Sequence, residues 1–223
     1  MRSIILFLAL FSVNAFAANP CMIEKPIEFS QARVEMTKEY IHGHYGLDVK
    51  DITIDPKIIV LHWTAEPDFA KSFGRLKPEK LLSDRKDIAR GGAVNVSSHF
   101  LVDKDGTIYR LMPDNHMARH IIGLNYYSIG IENVGGRGDN SQDLTPAQVQ
   151  SNIYLVRYLK AKYPNIEILM GHHEYSRMKK TKYWLERDDS YFTRKNDPGD
   201  VFIKAVRDEV KDLNLKEPPK ENR

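Results

Sequence analysis

Ile58-Ile59-Val60-Leu61-His62-Trp63-Thr64-Ala65 opens with four apolar residues, three of them β-branched, and then turns polar. A run this short and wholly apolar has the character of a strand buried in the middle of a sheet. His62 stands at its end, where a side chain can leave the core and meet residues delivered by other loops. Taken alone, it is more readily a histidine that caps a core strand through one satisfied hydrogen bond.

Further strands can be read outward from this one. Ile166-Glu167-Ile168-Leu169-Met170 is a second apolar segment that ends in Gly171-His172-His173. Adjacent residues of an extended chain face opposite ways, so His172 and His173 are not expected to serve one site together. His99 to Asp103 and Thr107 to Leu111 flank Lys104-Asp105-Gly106, and Asp-Gly supplies the positive φ of a hairpin turn. In Ser128-Ile129-Gly130-Ile131-Glu132-Asn133 the isoleucines share one face, and Glu132 points to the other. Helices interleave with these strands. Thr145-Pro146-Ala147-Gln148 is a helix start with a capping box, and Asp197-Pro198-Gly199-Asp200 precedes the stripe Phe202, Val206, Val210 and Leu213. Together these elements give an α/β fold in which a mixed central sheet is flanked by helices.

The chain has 223 residues, room for one domain with a full core. Met1-Arg2-Ser3, the apolar run Ile4 to Phe11 and Ala15-Phe16-Ala17 have the layout of a secretory signal peptide, with cleavage expected after Ala17. Its apolar run is too short to be a comfortable membrane anchor, and the mature chain is expected to carry none. Residues 18–56 read as an N-terminal extension, 57–213 as the domain proper and 214–223 as a charged tail, frayed from Lys216 onward. His42-Gly43-His44 in the extension reads as a surface turn rather than a metal site. The single cysteine, Cys21, cannot form an internal disulfide. Its surroundings, Ala18-Asn19-Pro20, lack the small residue that lipoprotein processing expects beside the cysteine. The net charge of +3 is spread among mixed signs, without the basic, aromatic-studded stripe of a nucleic-acid binder. A monomer is expected.

Each candidate for chemistry has an ordinary structural role available. Asp197 before a proline at a helix start is a common N-cap, and His62, His172 and Asp197 match no short zinc signature. Their order along the chain carries more. The run from about Lys57 to Phe202 resembles the type-2 N-acetylmuramoyl-L-alanine amidases, a family that includes the peptidoglycan recognition proteins. The matching landmarks are Val60-Leu61-His62-Trp63-Thr64-Ala65, Ser97-Ser98-His99-Phe100 with Asp105-Gly106-Thr107-Ile108-Tyr109, Ser128-Ile129-Gly130-Ile131-Glu132, Gly171-His172, and Lys195-Asn196-Asp197-Pro198-Gly199.

The resemblance implies the fold of that family and a Zn²⁺ ion held by His62, His172 and Asp197. Ligand type alone also admits manganese or iron. It further implies Glu132 as the group that moves the proton and Lys195 as the cation beside the oxyanion. Trp63, His120 and Asn125 would line the substrate groove, and His99 would be a packed neighbour of the site. The implied reaction is hydrolysis of the amide joining N-acetylmuramic acid to L-alanine in peptidoglycan, in the periplasm or outside the cell. A non-catalytic peptidoglycan-binding module and a zinc peptidase acting on the stem peptide are the alternatives. One departure stands out: the stretch 175–194 is longer than in compact bacterial members. It leaves Glu174, Asp188 and Asp189 as formal competitors of Asp197, and it offers Tyr183, Trp184 and Tyr191 as a wall of the groove.

Overall fold

A computed structural model describes residues 22–137 and 143–220. The expected signal peptide, its cleavage point and Cys21 lie outside the described residues. The sheet has six strands: β1 (Met22–Glu24), β2 (Ile58–Leu61), β3 (Phe100–Val102), β4 (Ile108–Arg110), β5 (Ser128–Asn133) and β6 (Ile168–Gly171), in the order β1-β4-β3-β5-β2-β6. β3 and β4 form the antiparallel hairpin, and all other neighbours run parallel. The sheet is therefore mixed, with β2 near its middle between β5 and β6.

Alternation along the strands divides the core. Ile59, Leu61, Ile129, Ile131 and Leu169 pack against α3 (Pro146–Lys162) and α4 (Asp200–Glu209). Ile58, Val60 and Met170 face the other way, into a cluster with Tyr40, Ile41, Tyr45, Ile52 and Ile54. Packing thus fixes which way each strand end points, because a slip of one residue would exchange the side chains fitted to the two core faces and carry the strand-end residues to the wrong side of the sheet.

Helix ends follow the local chemistry. Thr145 caps α3 with the full capping box. α1 (Gln31–Tyr40) begins at Ser30, whose side chain accepts from the Ala32 N–H, and α2 (Phe69–Leu76) begins at Asp68, which accepts from the Lys71 N–H. α4 starts at Asp200 behind Gly199 and has no side-chain cap, so Asp197 does not serve as one.

The N-terminal segment is built into the domain. β1 adds an edge strand beside β4, and Arg33 of α1 is buried, donating to the carbonyls of Glu28, Lys77 and Pro78. The tail departs from the expected fraying at its start: the Leu169 N–H donates to Lys216 O at 3.1 Å and the Lys216 N–H donates to Glu167 O at 2.8 Å. The exposed edge of β6 offers unpaired backbone groups there, and the tail satisfies them.

Candidate metal-binding active site

Leu61 is in register with Ile131 on one side and with Gly171 on the other. The next residues in the three parallel strands, Glu132, His62 and His172, therefore emerge at one level at their carboxyl ends. This is where open α/β sheets place ligands. All three belong to the face opposite the α3–α4 layer. Asp197 reaches the same point from the loop before α4.

His62 Nδ1 lies 3.0 Å from His172 Nδ1 and 3.1 Å from Asp197 Oδ2, and the last two atoms are 3.0 Å apart. Two imidazole nitrogens and a carboxylate oxygen thus form a nearly equilateral triangle of buried donors. Bonds of about 2.0–2.1 Å in a tetrahedron would set such donors about 3.3 Å apart, so the set fits one face of a tetrahedral metal site. Burial pushes His172 down to about 4 against the pull of Asp197, which leaves its ring neutral and able to ligate. Burial alone would raise the Asp197 carboxyl, yet His172 and His62 hold it well below the usual carboxylate range.

Two of the three competing carboxylates are engaged elsewhere, and the third, Asp189, is exposed. Glu174 accepts from the Gly171 N–H at 2.8 Å and pairs with Arg207 at 2.6 Å, while Asp188 pairs with Arg90 at 2.9 Å. His173 turns away from the triangle, although the two histidines open a 3-10 helix (His172–Lys180) rather than continue the extended strand. Its backbone N–H and its Nδ1 both meet Asp197 O, at 2.8 and 3.0 Å, and its Nε2 meets Asp200 Oδ1 at 2.9 Å. The residue set aside in the sequence clamps the loop that presents Asp197.

Glu132 stands beside His62 on the groove floor. Its Oε2 is shielded from solvent without a hydrogen-bond partner, and burial pushes its carboxyl up to about 7. An acid near neutrality with one oxygen buried and unpartnered is a candidate for moving protons. Lys195 lines the same cavity, together with Trp63, Arg75, Arg85, Arg194 and Tyr191, in a groove of about 500 Å³. Trp63 is held by close contact, since a side chain at Gly136 would collide with its ring.

Other expected groove residues sit deeper. Asn125 is fully buried; its Oδ1 accepts from the N–H groups of His120 and Ile121, and its Nδ2 reaches Tyr45 and Tyr40. It braces the floor, and none of its polar atoms is left for a ligand. His120 borders the cavity but directs its Nδ1 at His62 Nε2, 2.9 Å away. His99 is packed below: the Gly130 N–H donates to its Nδ1, its Nε2 meets His116 O, and burial lowers it to about 4. Of the three aromatics expected as a wall, Tyr191 lines the groove. Tyr183 packs on Tyr127, and Trp184 packs over Gly123.

Arg119 had no signal in the sequence. It is buried and donates to the carbonyls of Ile88, Gly92 and Val94 and to the Tyr191 hydroxyl, tying two sides of the groove together.

Comparison with known proteins agrees with this geometry. The sequence profile of the N-acetylmuramoyl-L-alanine amidase family matches residues 52–200, which include every residue of the triangle. The chain belongs to that family. The endolysin of Escherichia phage T7 is 37% identical over 86 residues and that of Klebsiella phage KP32 is 34% identical over 86, in each case 37% of this chain. The chain spans 56% of the length of these relatives. Among solved structures, the endolysin amidase LysCS from Clostridium intestinale superposes with a TM-score of 0.50 at 24% identity, covering 88% of this chain and 97% of that one. Its fold is that of the family. Among the described residues, no helix is long and apolar enough to cross a membrane.

Proposed function

We propose that the protein is a zinc-dependent N-acetylmuramoyl-L-alanine amidase that cleaves the bond between N-acetylmuramic acid and the first stem-peptide residue of peptidoglycan. The observation that carries this is the triangle of His62, His172 and Asp197 beside Glu132, whose Oε2 is buried without a partner, in a groove within the family-matched region. A binding module needs no such pairing of open metal donors with a raised acid.

Zinc held by the three donors would keep a coordination position open, acidify water and polarise the scissile carbonyl. Glu132 takes the proton from the attacking water and returns it to the leaving amine, a task suited to a carboxyl poised near 7. Lys195 places a cation along the groove, where charge develops on the carbonyl oxygen. Arg75, Arg85 and Arg194 give the same groove a basic lining, which suits a stem peptide rich in carboxylates. The signal-like start of the chain fits export to the periplasm or medium, where this polymer lies.

Digestion of purified peptidoglycan by the zinc-loaded protein, followed by mass spectrometry, tests the reading. Intact free stem peptides and peptide-free glycan are expected. Shortened stems would assign a peptidase, and unaltered wall a binder. N-terminal sequencing of the exported protein is expected to begin at Ala18.

A further inference from the structure

We propose that His120 is a positioning residue for His62, and that a chain of hydrogen bonds ending on a backbone carbonyl decides which nitrogen of the His62 ring is free to bind metal. The inference rests on the reading of His62 as a metal ligand.

The chain runs inward from the site. His62 Nε2 is 2.9 Å from His120 Nδ1, His120 Nε2 is 3.1 Å from Ser128 Oγ, and Ser128 Oγ is 2.9 Å from Leu124 O. Its inner end sets the direction. A carbonyl oxygen only accepts, so the single hydroxyl proton of Ser128 goes to Leu124. Ser128 Oγ then accepts from His120, which places the His120 proton on Nε2; Ser128 O, at 3.5 Å, faces the same nitrogen. The His120 ring is buried among His62, His99 and Ser128 and, among the described residues, makes no hydrogen bond to a carboxylate. Its Nδ1 is therefore bare and accepts from His62 Nε2–H. With its single proton on Nε2, the His62 ring presents a bare Nδ1, the atom that forms the triangle with His172 and Asp197. Reversing the order would leave the Leu124 carbonyl with the Tyr127 N–H as its one donor, set the His120 Nε2 bare against the Ser128 carbonyl, and put a proton where the metal must bind.

The surrounding sequence is arranged to hold this ring. An ideal Cβ at Gly130 would lie 2.8 Å from Cγ and Nδ1 of His120, so only glycine lets the ring rest on β5. Asn125 Oδ1 accepts from the backbone N–H of His120 at 2.8 Å and fixes its Cα from the other side. Ser128, on the same face of β5 as Gly130, supplies the acceptor. Three polar or small residues that a buried strand and turn would not otherwise require thus converge on His120.

Hydrogen-bonding partners of this kind orient a ligating imidazole and raise its basicity, and their loss commonly weakens metal binding by about 10–100-fold. The test is zinc affinity of the full chain, measured by competition with a chromophoric chelator, alongside thermal melting of the metal-free protein. H120F is expected to weaken zinc binding about 10–100-fold. H120N, whose Oδ1 can take the place of the ring Nδ1 as acceptor, is expected to recover most of it while melting like H120F without metal. S128A keeps the ring but removes the acceptor that orders its proton, and is expected to weaken zinc binding in the same direction. Wild-type affinity in H120F or S128A overturns the inference alone, and so does equal loss in H120N and H120F, which would make His120 a filler of space. Absence of zinc binding by the wild-type protein overturns the metal reading, and this inference with it.

Discussion

His62 and Glu132 leave neighbouring parallel strands side by side, because each follows a member of the register pair Leu61–Ile131. One residue type is a metal donor and the other an acid with an unpaired oxygen, so their substitution should separate binding from turnover. Replacing His62, His172 or Asp197 by alanine is expected to abolish stoichiometric zinc binding and, with it, activity. E132Q is expected to bind zinc normally while losing about 10²–10⁴-fold in turnover, the usual contribution of a positioned acid–base group. Metal analysis of the purified variants and muropeptide release are the measurements. Loss of zinc in E132Q, or turnover near wild type, would remove Glu132 from the proposed role.

The same carboxyl makes a prediction about stability. Its folded-state value of about 7 lies above the ordinary 4.5. Between those values the folded protein holds the proton more tightly than the unfolded chain, so the stability it confers is present at low pH and declines as pH rises toward 7. Glutamine cannot ionise and escapes the decline. In the metal-free protein, E132Q should therefore match wild type near pH 4 and exceed it by up to about 3 kcal/mol at pH 8. Denaturant titrations across pH give the difference directly. A gap that does not vary with pH would contradict the burial of an unpaired acid.

Glu174 shows how the strand end carrying His172 is secured. Its carboxylate is buried, accepts from the Gly171 N–H at 2.8 Å and meets Arg207 of α4 at 2.6 and 3.1 Å, with Arg177 also in contact. Burial would raise this acid, but Arg207, with help from Gly171 and Arg177, brings it below its ordinary value. Removing one partner of such a group strands the other, at a cost of about 3–5 kcal/mol when both are buried. E174A is expected to approach the lower end, since Arg207 keeps some contact with solvent, and to broaden the zinc site by loosening Gly171. Calorimetric melting with and without zinc measures both effects. An unchanged melting temperature would mean that the cluster is replaced by solvent without loss.

Much of this arrangement is legible in the sequence, because apolar alternation is a strong signal. The runs 58–61, 128–133 and 166–170 announce strands, and their polar ends His62, Glu132 and His172 follow from the same periodicity. The hairpin and the start of α3 are equally plain, since Gly106 and the Thr145–Gln148 box carry local instructions. What escapes is burial achieved through hydrogen bonds. α1 buries Arg33, Thr37 and Tyr40 at helical spacing, but two of the three are polar, so no apolar stripe marks the face. α3 likewise buries Gln148, Ser151 and Asn152. His120 meets His62 only because Gly130 lacks a side chain, a fact of tertiary approach that no local pattern encodes. Asp197 has the local grammar of a helix cap; only the convergence of three strand ends gives it other partners.

The hidden role of α1 leads to a last prediction. Residues 22–56 lie mostly before the family-matched region, yet Tyr40, Ile41, Tyr45, Ile52 and Ile54 are buried in the cluster beneath the groove. Each such side chain contributes about 1.5–3 kcal/mol by leaving water. Five of them rival the whole net stability of a typical domain, about 5–15 kcal/mol. Their loss would also uncover Asn125, whose amide is held by the Tyr40 and Tyr45 hydroxyls and which in turn fixes the backbone of His120. A chain beginning at Lys57 is therefore expected to lack a cooperative melting transition and to bind zinc weakly, whereas one beginning at Met22 should retain both. Circular dichroism and chelator competition on the two truncated chains decide the matter. Cooperative melting of the shorter chain would show that the N-terminal segment merely covers a core able to stand without it.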